Sequence, residues 1–244
     1  MKKALFLGLA CALLLTACNV TITGSSKRIE PSENIVRREL KMARFDEVDI
    51  NVIANVKIMQ SADGDSRVVL TMPENYVELY NIGVDDGELS VEFRKDGNNI
   101  DATNVDITIY TPTLRKLTNE GLANVETDRL EADRLEVEND GVGSLFLSGL
   151  SVKLIEAESC GVGSIELSGT ADEAQLDCSG VGSIKAAGLV ARSVRAEVSG
   201  VGSITCHATE HIKGDVSGVG SLRYGGNPGD KDLSRSGVGK IVEL

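Results

Sequence analysis

Five carboxylates recur along this chain with the regularity of a ladder. Glu138, Glu158, Asp177, Glu197 and Asp215 follow one another at intervals of 18 to 20 residues, each three positions ahead of a glycine. Stacked at one period they would form a row of like charge, and such a row repels itself unless something relieves it. A Ca²⁺ ion would do so, because hard cations collect several carboxylate oxygens. Solvent would also do so, helped by Arg195 and Lys213 in the neighbouring column. The solvated stripe is the simpler reading, since the Gly-Gly-x-Gly-x-Asp repeat of calcium-binding β-rolls is absent. No other cofactor is implied.

Two other patterns invite chemistry and support little of it. His207-Ala208-Thr209-Glu210-His211 matches the His-x-x-Glu-His pattern of one zinc-protease group. That chemistry needs a helix to bring positions i and i+4 to one metal. Here the five residues fall in β register, in the turn of the shortest repeat, and Cys206 falls in an inward column. They read as ordinary turn residues. Ser144, Ser164, Ser183, Ser203 and Ser221 form one serine column, and Ser179, Ser199, Ser217 and Ser236 another. With only two histidines in the chain, these hydroxyls lack a base to make them nucleophiles. Hydrogen bonding along a stack and within turns explains them.

The elements that carry these columns are set by a repeat. Gly-Val-Gly-Ser begins at Gly141, Gly161, Gly180, Gly200 and Gly218, and a sixth copy at Gly237 ends in Lys240. A period near twenty means a solenoid, whose units cannot bury an apolar face alone. One position into the motif stand Val142, Val162, Val181, Val201, Val219 and Val238. Four positions in stand Leu145, Ile165, Ile184, Ile204, Leu222 and Ile241, with Leu147, Leu167, Ala186, Cys206 and Tyr224 two residues later. That alternation is the strand period. Leu135, Ile155, Ala174, Val194 and Ile212 form a further inward column. Val137, Ala157, Leu176, Ala196 and Leu233 form another, with Gly214 as a gap. Two short strands separated by turns wind into each rung, so Val sits on Val and Ile on Ile. The glycines are expected where a turn needs φ > 0.

Val125 to Asp140 would be helical by propensity, but Gly121-Leu122-Ala123-Asn124 lies in register 20 residues before Gly141, which predicts strand. Val52 to Ile58 is an earlier echo. The solenoid is therefore expected from near Phe45, with looser rungs and turns at Asp63-Gly64, Asp86-Gly87 and Asp96-Gly97. A separate small β domain over 35–118 is the alternative. Residues 35–244 are read as one all-β domain, irregular over 35–118 and regular over 119–244.

Residues 1–17 read as a lipoprotein signal peptide: Lys2 and Lys3, an apolar run too short to span a bilayer, and Leu15-Thr16-Ala17 ahead of Cys18. Cys18 is then the acylated residue and 18–34 a tether. Those 17 residues hold two of the 25 Lys and Arg and none of the 37 Asp and Glu, so the remainder carries a formal charge of −14. Such acidity speaks against nucleic acid as a partner, which needs clustered Lys and Arg. Trp is absent, so the core must be largely aliphatic. Cys160, Cys178 and Cys206 are an odd set, which excludes a full disulfide framework.

The lipoprotein signal, the Phe45-Asp46-Glu47-Val48 opening, the Asn51 to Ile58 segment and the serial Ser-Gly-Val-Gly-Ser-Ile rungs resemble the auto-transporter adhesin, head GIN domain family of exported Bacteroidetes proteins. The resemblance covers about residues 35–242. It implies a right-handed parallel β-helix and brings no catalytic residues. A lipid would stand in place of a translocator domain.

These readings converge on a non-enzymatic, lipid-anchored outer-membrane β-helix, facing the periplasm or the cell surface. It would bind or adhere to an unknown protein or glycan as a monomer or end-to-end dimer. A structural or regulatory periplasmic module is the alternative, and a carbohydrate-active enzyme a weaker one, given uniform rungs and no Trp. The charged, short final strand predicts that the solenoid does not form fibrils.

Overall fold

The computed structural model describes residues 27–94 and 98–244. Cys18, the signal segment and the turn expected at Asp96-Gly97 lie outside the described residues.

The regular rungs are parallel strands stacked residue on residue. Leu130–Asn139, Leu145–Ser159, Ser164–Cys178, Ser183–Val198 and Ser203–Val216 follow one another, and Ser221–Gly225, Asp230–Arg235 and Lys240–Glu243 complete the stack. Leu145 pairs with Ile165, Ile165 with Ile184, Ile184 with Ile204 and Ile204 with Leu222, so the isoleucine column is continuous. It is fully buried. The result is a parallel β-solenoid of about six turns. The segment over 125–140 is strand, as its register predicts: Asn124–Thr127 and Leu130–Asn139, with Val125 beside Leu145. Tertiary stacking overrides helix propensity there.

The first part of the chain departs from simple winding. Glu47–Asn51 and Asn55–Gln60 form a rung that stacks directly on Lys116–Asn119 and Asn124–Thr127. The later segments Glu88–Phe93 and Asp106–Thr111 stack on the opposite side of that rung. The rung order in space therefore differs from the order in sequence. Antiparallel pairs close this end: Ile35–Lys41 with Arg67–Pro73, Arg67–Pro73 with Asp106–Thr111, and Tyr80–Asp85 with Glu88–Phe93. The last pair turns through Asp86 and Gly87, both at positive φ. Phe45, Tyr76 and Tyr80 are buried here, so the core is partly aromatic at this end and aliphatic in the regular rungs apart from Tyr224. One buried cluster runs without a break from Phe45 to Tyr224.

The structure places the motif valines and corrects the reason for the motif glycines. The valines do stack on valines, but outside the solenoid: Val142, Val162, Val181, Val201 and Val219 are each about 60% exposed. The motif glycines do not have positive φ. They are needed because stacked turns approach too closely for a side chain. A β-carbon on Gly141 would lie 2.0 Å from the carbonyl oxygen of Gly121, and one on Gly200 2.2 Å from that of Gly180.

Candidate functional site

The carboxylate column forms as its spacing predicts. Glu138 pairs with Glu158, Glu158 with Asp177, Asp177 with Glu197 and Glu197 with Asp215 across successive parallel strands. The parity of each strand aims these side chains outward between two buried columns, Val137 to Ala196 and Asn139 to Val198. The column continues past both ends of the five. Asp215 pairs with Ser234, whose hydroxyl donates to its carboxylate. Glu138 pairs with Thr118, and Thr118 with Asp49.

Relief of the repulsion is concentrated at one end. Lys116 Nζ donates to Glu136 at 2.8 Å and to Glu138 at 2.9 Å, and these bonds hold its ammonium well above the usual lysine range. Arg134 pairs with Glu156, and Arg195 stands 3.7 Å from Glu197. The middle is the least compensated. Burial, then the charges of Glu197 and Glu158, raise the Asp177 carboxyl above its ordinary range. A shallow depression of about 410 Å³ follows this stretch, lined by Glu138, Glu158, Asp177 and Glu197 with Arg134 and Arg195 at its rim. Beyond Thr118, past the Lys116 end of the row, Asp49 is pushed up to about 6 by burial and by Glu120, Glu88 and Glu92. Its Oδ1 has no hydrogen-bond partner.

Among the described residues no three His, Cys, Asp or Glu side chains gather around a common point that could hold a metal. The ladder spreads its charge along a line. His207 and His211 lie within the strand Ser203–Val216 instead of a turn. Glu210 is held by Arg192 at 3.0 and 3.2 Å, and His211 faces Asp230 at 3.3 Å. Cys206 is buried, its thiol pushed up to about 12 by that burial. Cys160 is exposed and Cys178 buried, on opposite faces of the sheet as alternation requires. In the first serine column Ser164 donates to Ser144 at 3.1 Å.

Two features went unread in the sequence. One is an inward column beneath the motif: Asn119, Asn139, Ser159 and Cys178 are wholly buried. The other is the exposed valine row, which borders a groove of about 700 Å³. Counting by twos from Glu138 would have placed Val142 and Ser144 outside.

A parallel solenoid that presents uninterrupted side-chain ladders is a repeat protein built for extended surfaces. The chain belongs to the family described as "putative auto-transporter adhesin, head GIN domain", whose model matches residues 44–228. A solved structure described as a putative adhesin from Bacteroides fragilis is 37% identical, with a TM-score of 0.85, covering 88% of this chain and 100% of its own. A putative lipid binding protein from Parabacteroides distasonis is 23% identical with a TM-score of 0.73, covering 89% and 100%. A putative adhesin from Parabacteroides merdae is 24% identical with a TM-score of 0.67, covering 90% and 100%. The latter two share the fold alone. No curated protein matches the chain.

Proposed function

We propose that this protein is a non-enzymatic binding module of the cell envelope, tethered through acyl chains on Cys18 and acting in adhesion. Its carboxylate ladder is the face that meets a protein or glycan partner. The observation that carries this reading is the unbroken run Glu138, Glu158, Asp177, Glu197 and Asp215. Like charges stacked at the strand spacing oppose folding, and no packing requirement calls for carboxylates at an outward position. Charge laid in a line over five rungs suits an extended partner carrying cationic groups better than a single ion.

Membership in an adhesin-named family and the adhesin description of the 37%-identical Bacteroides fragilis structure support the same reading. Protease shaving of intact cells, scored with an antibody to the folded region beside a periplasmic control, tests it. Loss of the protein with the control intact places the ladder outside, where adhesion operates. Full protection until lysis would rule adhesion out.

A further inference from the structure

The motif valines form an apolar row on a polar surface. Val142, Val162, Val181, Val201 and Val219 are 59–62% exposed and Val238 83%. Together they leave on the order of 500 Å² of contiguous apolar surface, the size that marks an interaction site on a soluble body. The serine column forms the other wall of their groove, and the second glycines of the motif form its floor.

We infer that a second copy of this chain covers this row, in a two-fold dimer whose solenoid axes run antiparallel. The two-fold axis lies along the strand direction, between the rungs of Val181 and Val201. Val142 then meets Val238 of the second copy, Val162 meets Val219, and Val181 meets Val201. Both rows have the strand-stacking period, so their side chains mesh along their full length.

Charge selects this arrangement. The next outward column beyond the serines reads Phe146, Glu166, Lys185, Thr205, Arg223 and Val242. In the antiparallel register Phe146 faces Val242, Glu166 faces Arg223 and Lys185 faces Thr205. Phe146 and Val242 are 44% and 42% exposed, so an apolar pair closes each end. Sliding by one rung sets Lys185 against its own copy in one direction and against Arg223 in the other, and both are repulsive. A parallel arrangement leaves Glu166 and Arg223 without each other. With the serine column and the end pairs, each side approaches the roughly 800 Å² per partner of a stable interface. A two-fold contact is closed and does not propagate into filaments.

The valine groove and the carboxylate depression share no lining residue, so this inference stands apart from the adhesive reading. Paired cysteines test the register in cells producing the full protein, in a Cys160→Ser background that removes the exposed native thiol. Val162→Cys combined with Val219→Cys should give a covalent dimer on mild oxidation, and either substitution alone should give none. Self-cross-linking of the single variants would overturn the antiparallel arrangement. The purified protein in detergent should sediment as a dimer. Val181→Asp with Val201→Asp should halve that mass and leave the chain folded by circular dichroism, because both sites are exposed. A wild-type monomer at every concentration would overturn the dimer, and adhesion lost in the aspartate variant without a change in mass would assign the row to another partner.

Discussion

Asn139 reaches Gly143 from inside the solenoid: its Nδ2 donates to the glycine carbonyl at 3.0 Å, while Asn119 Nδ2 donates to Asn139 Oδ1 at 2.9 Å. The same inward position is Ser159, Cys178, Val198 and Val216 in later rungs. The amide pair is thus confined to the first regular turns, where it fixes the motif backbone, and in a later rung the Cys178 thiol donates to the Gly182 carbonyl at 3.6 Å. Asn139→Ala leaves buried polar groups without partners and opens a cavity, a loss of about 2–4 kcal/mol. Urea unfolding should show a lower midpoint with an unchanged slope.

Gly163 is needed for closeness rather than for an unusual backbone angle. A β-carbon there would lie 1.8 Å from the Gly143 carbonyl oxygen and 2.7 Å from Asn139 Nδ2. Gly163→Ala should cost about 3–5 kcal/mol, at the severe end for one substitution. Gly229→Ala, where nothing stands within 4 Å, should leave the thermal midpoint unchanged. Equal effects at both sites would refute the close-approach account.

Asp49 makes stability depend on pH. Its carboxyl titrates at about 6 in the folded chain against 3.8 for the free group. A raised acid binds its proton more tightly when folded, so its favourable contribution is complete below pH 3.8 and lost as pH rises through about 6. Asp49→Asn should raise the melting temperature at pH 8 by about 2–4 °C and leave it unchanged at pH 3. The difference between the two pH values is the diagnostic.

The cysteines should separate by access. Cys160 is exposed, but burial of its sulfur and the neighbouring Glu158 push its thiol up to about 11. It should react with maleimide slowly at pH 7, and Cys178 and Cys206 only after unfolding. The thiolate is the nucleophile, so a raised pKa slows the reaction even at an accessible site.

The regular rungs were legible because a period of two within a period of twenty leaves little freedom: once Val137, Ala157 and Leu176 are inward, Glu138, Glu158 and Asp177 must be outward. The same parity placed Val142 outside, but an apolar residue in a repeat invites a buried reading, and only stacking geometry shows that the turn leaves it no core to enter. The glycine motif was visible while its cause was not, since the approach of Gly163 to Gly143 is a contact between rungs. The rung order over 47–111 was hidden for a related reason. Strand signals there reveal local pairing potential, and nothing in Glu88–Phe93 announces that Glu47–Asn51 will stand between it and Lys116–Asn119. Asn119 and Asn139 were obscured by their chemistry, because buried amides look like surface residues until their partners are known.

The central claim is that the carboxylate ladder binds a partner, and its most direct measurement removes charge from the middle of the row. Glu158→Gln, Asp177→Asn and Glu197→Gln keep shape and take away three adjacent charges. Intact cells producing this variant or the wild type would be compared for adhesion to a panel of immobilised glycans and host-matrix proteins, with the melting temperature measured in parallel. The account predicts a loss of adhesion of at least tenfold with a melting temperature equal to or above that of the wild type, since repulsion between stacked carboxylates is relieved. Undiminished adhesion by the variant would contradict it.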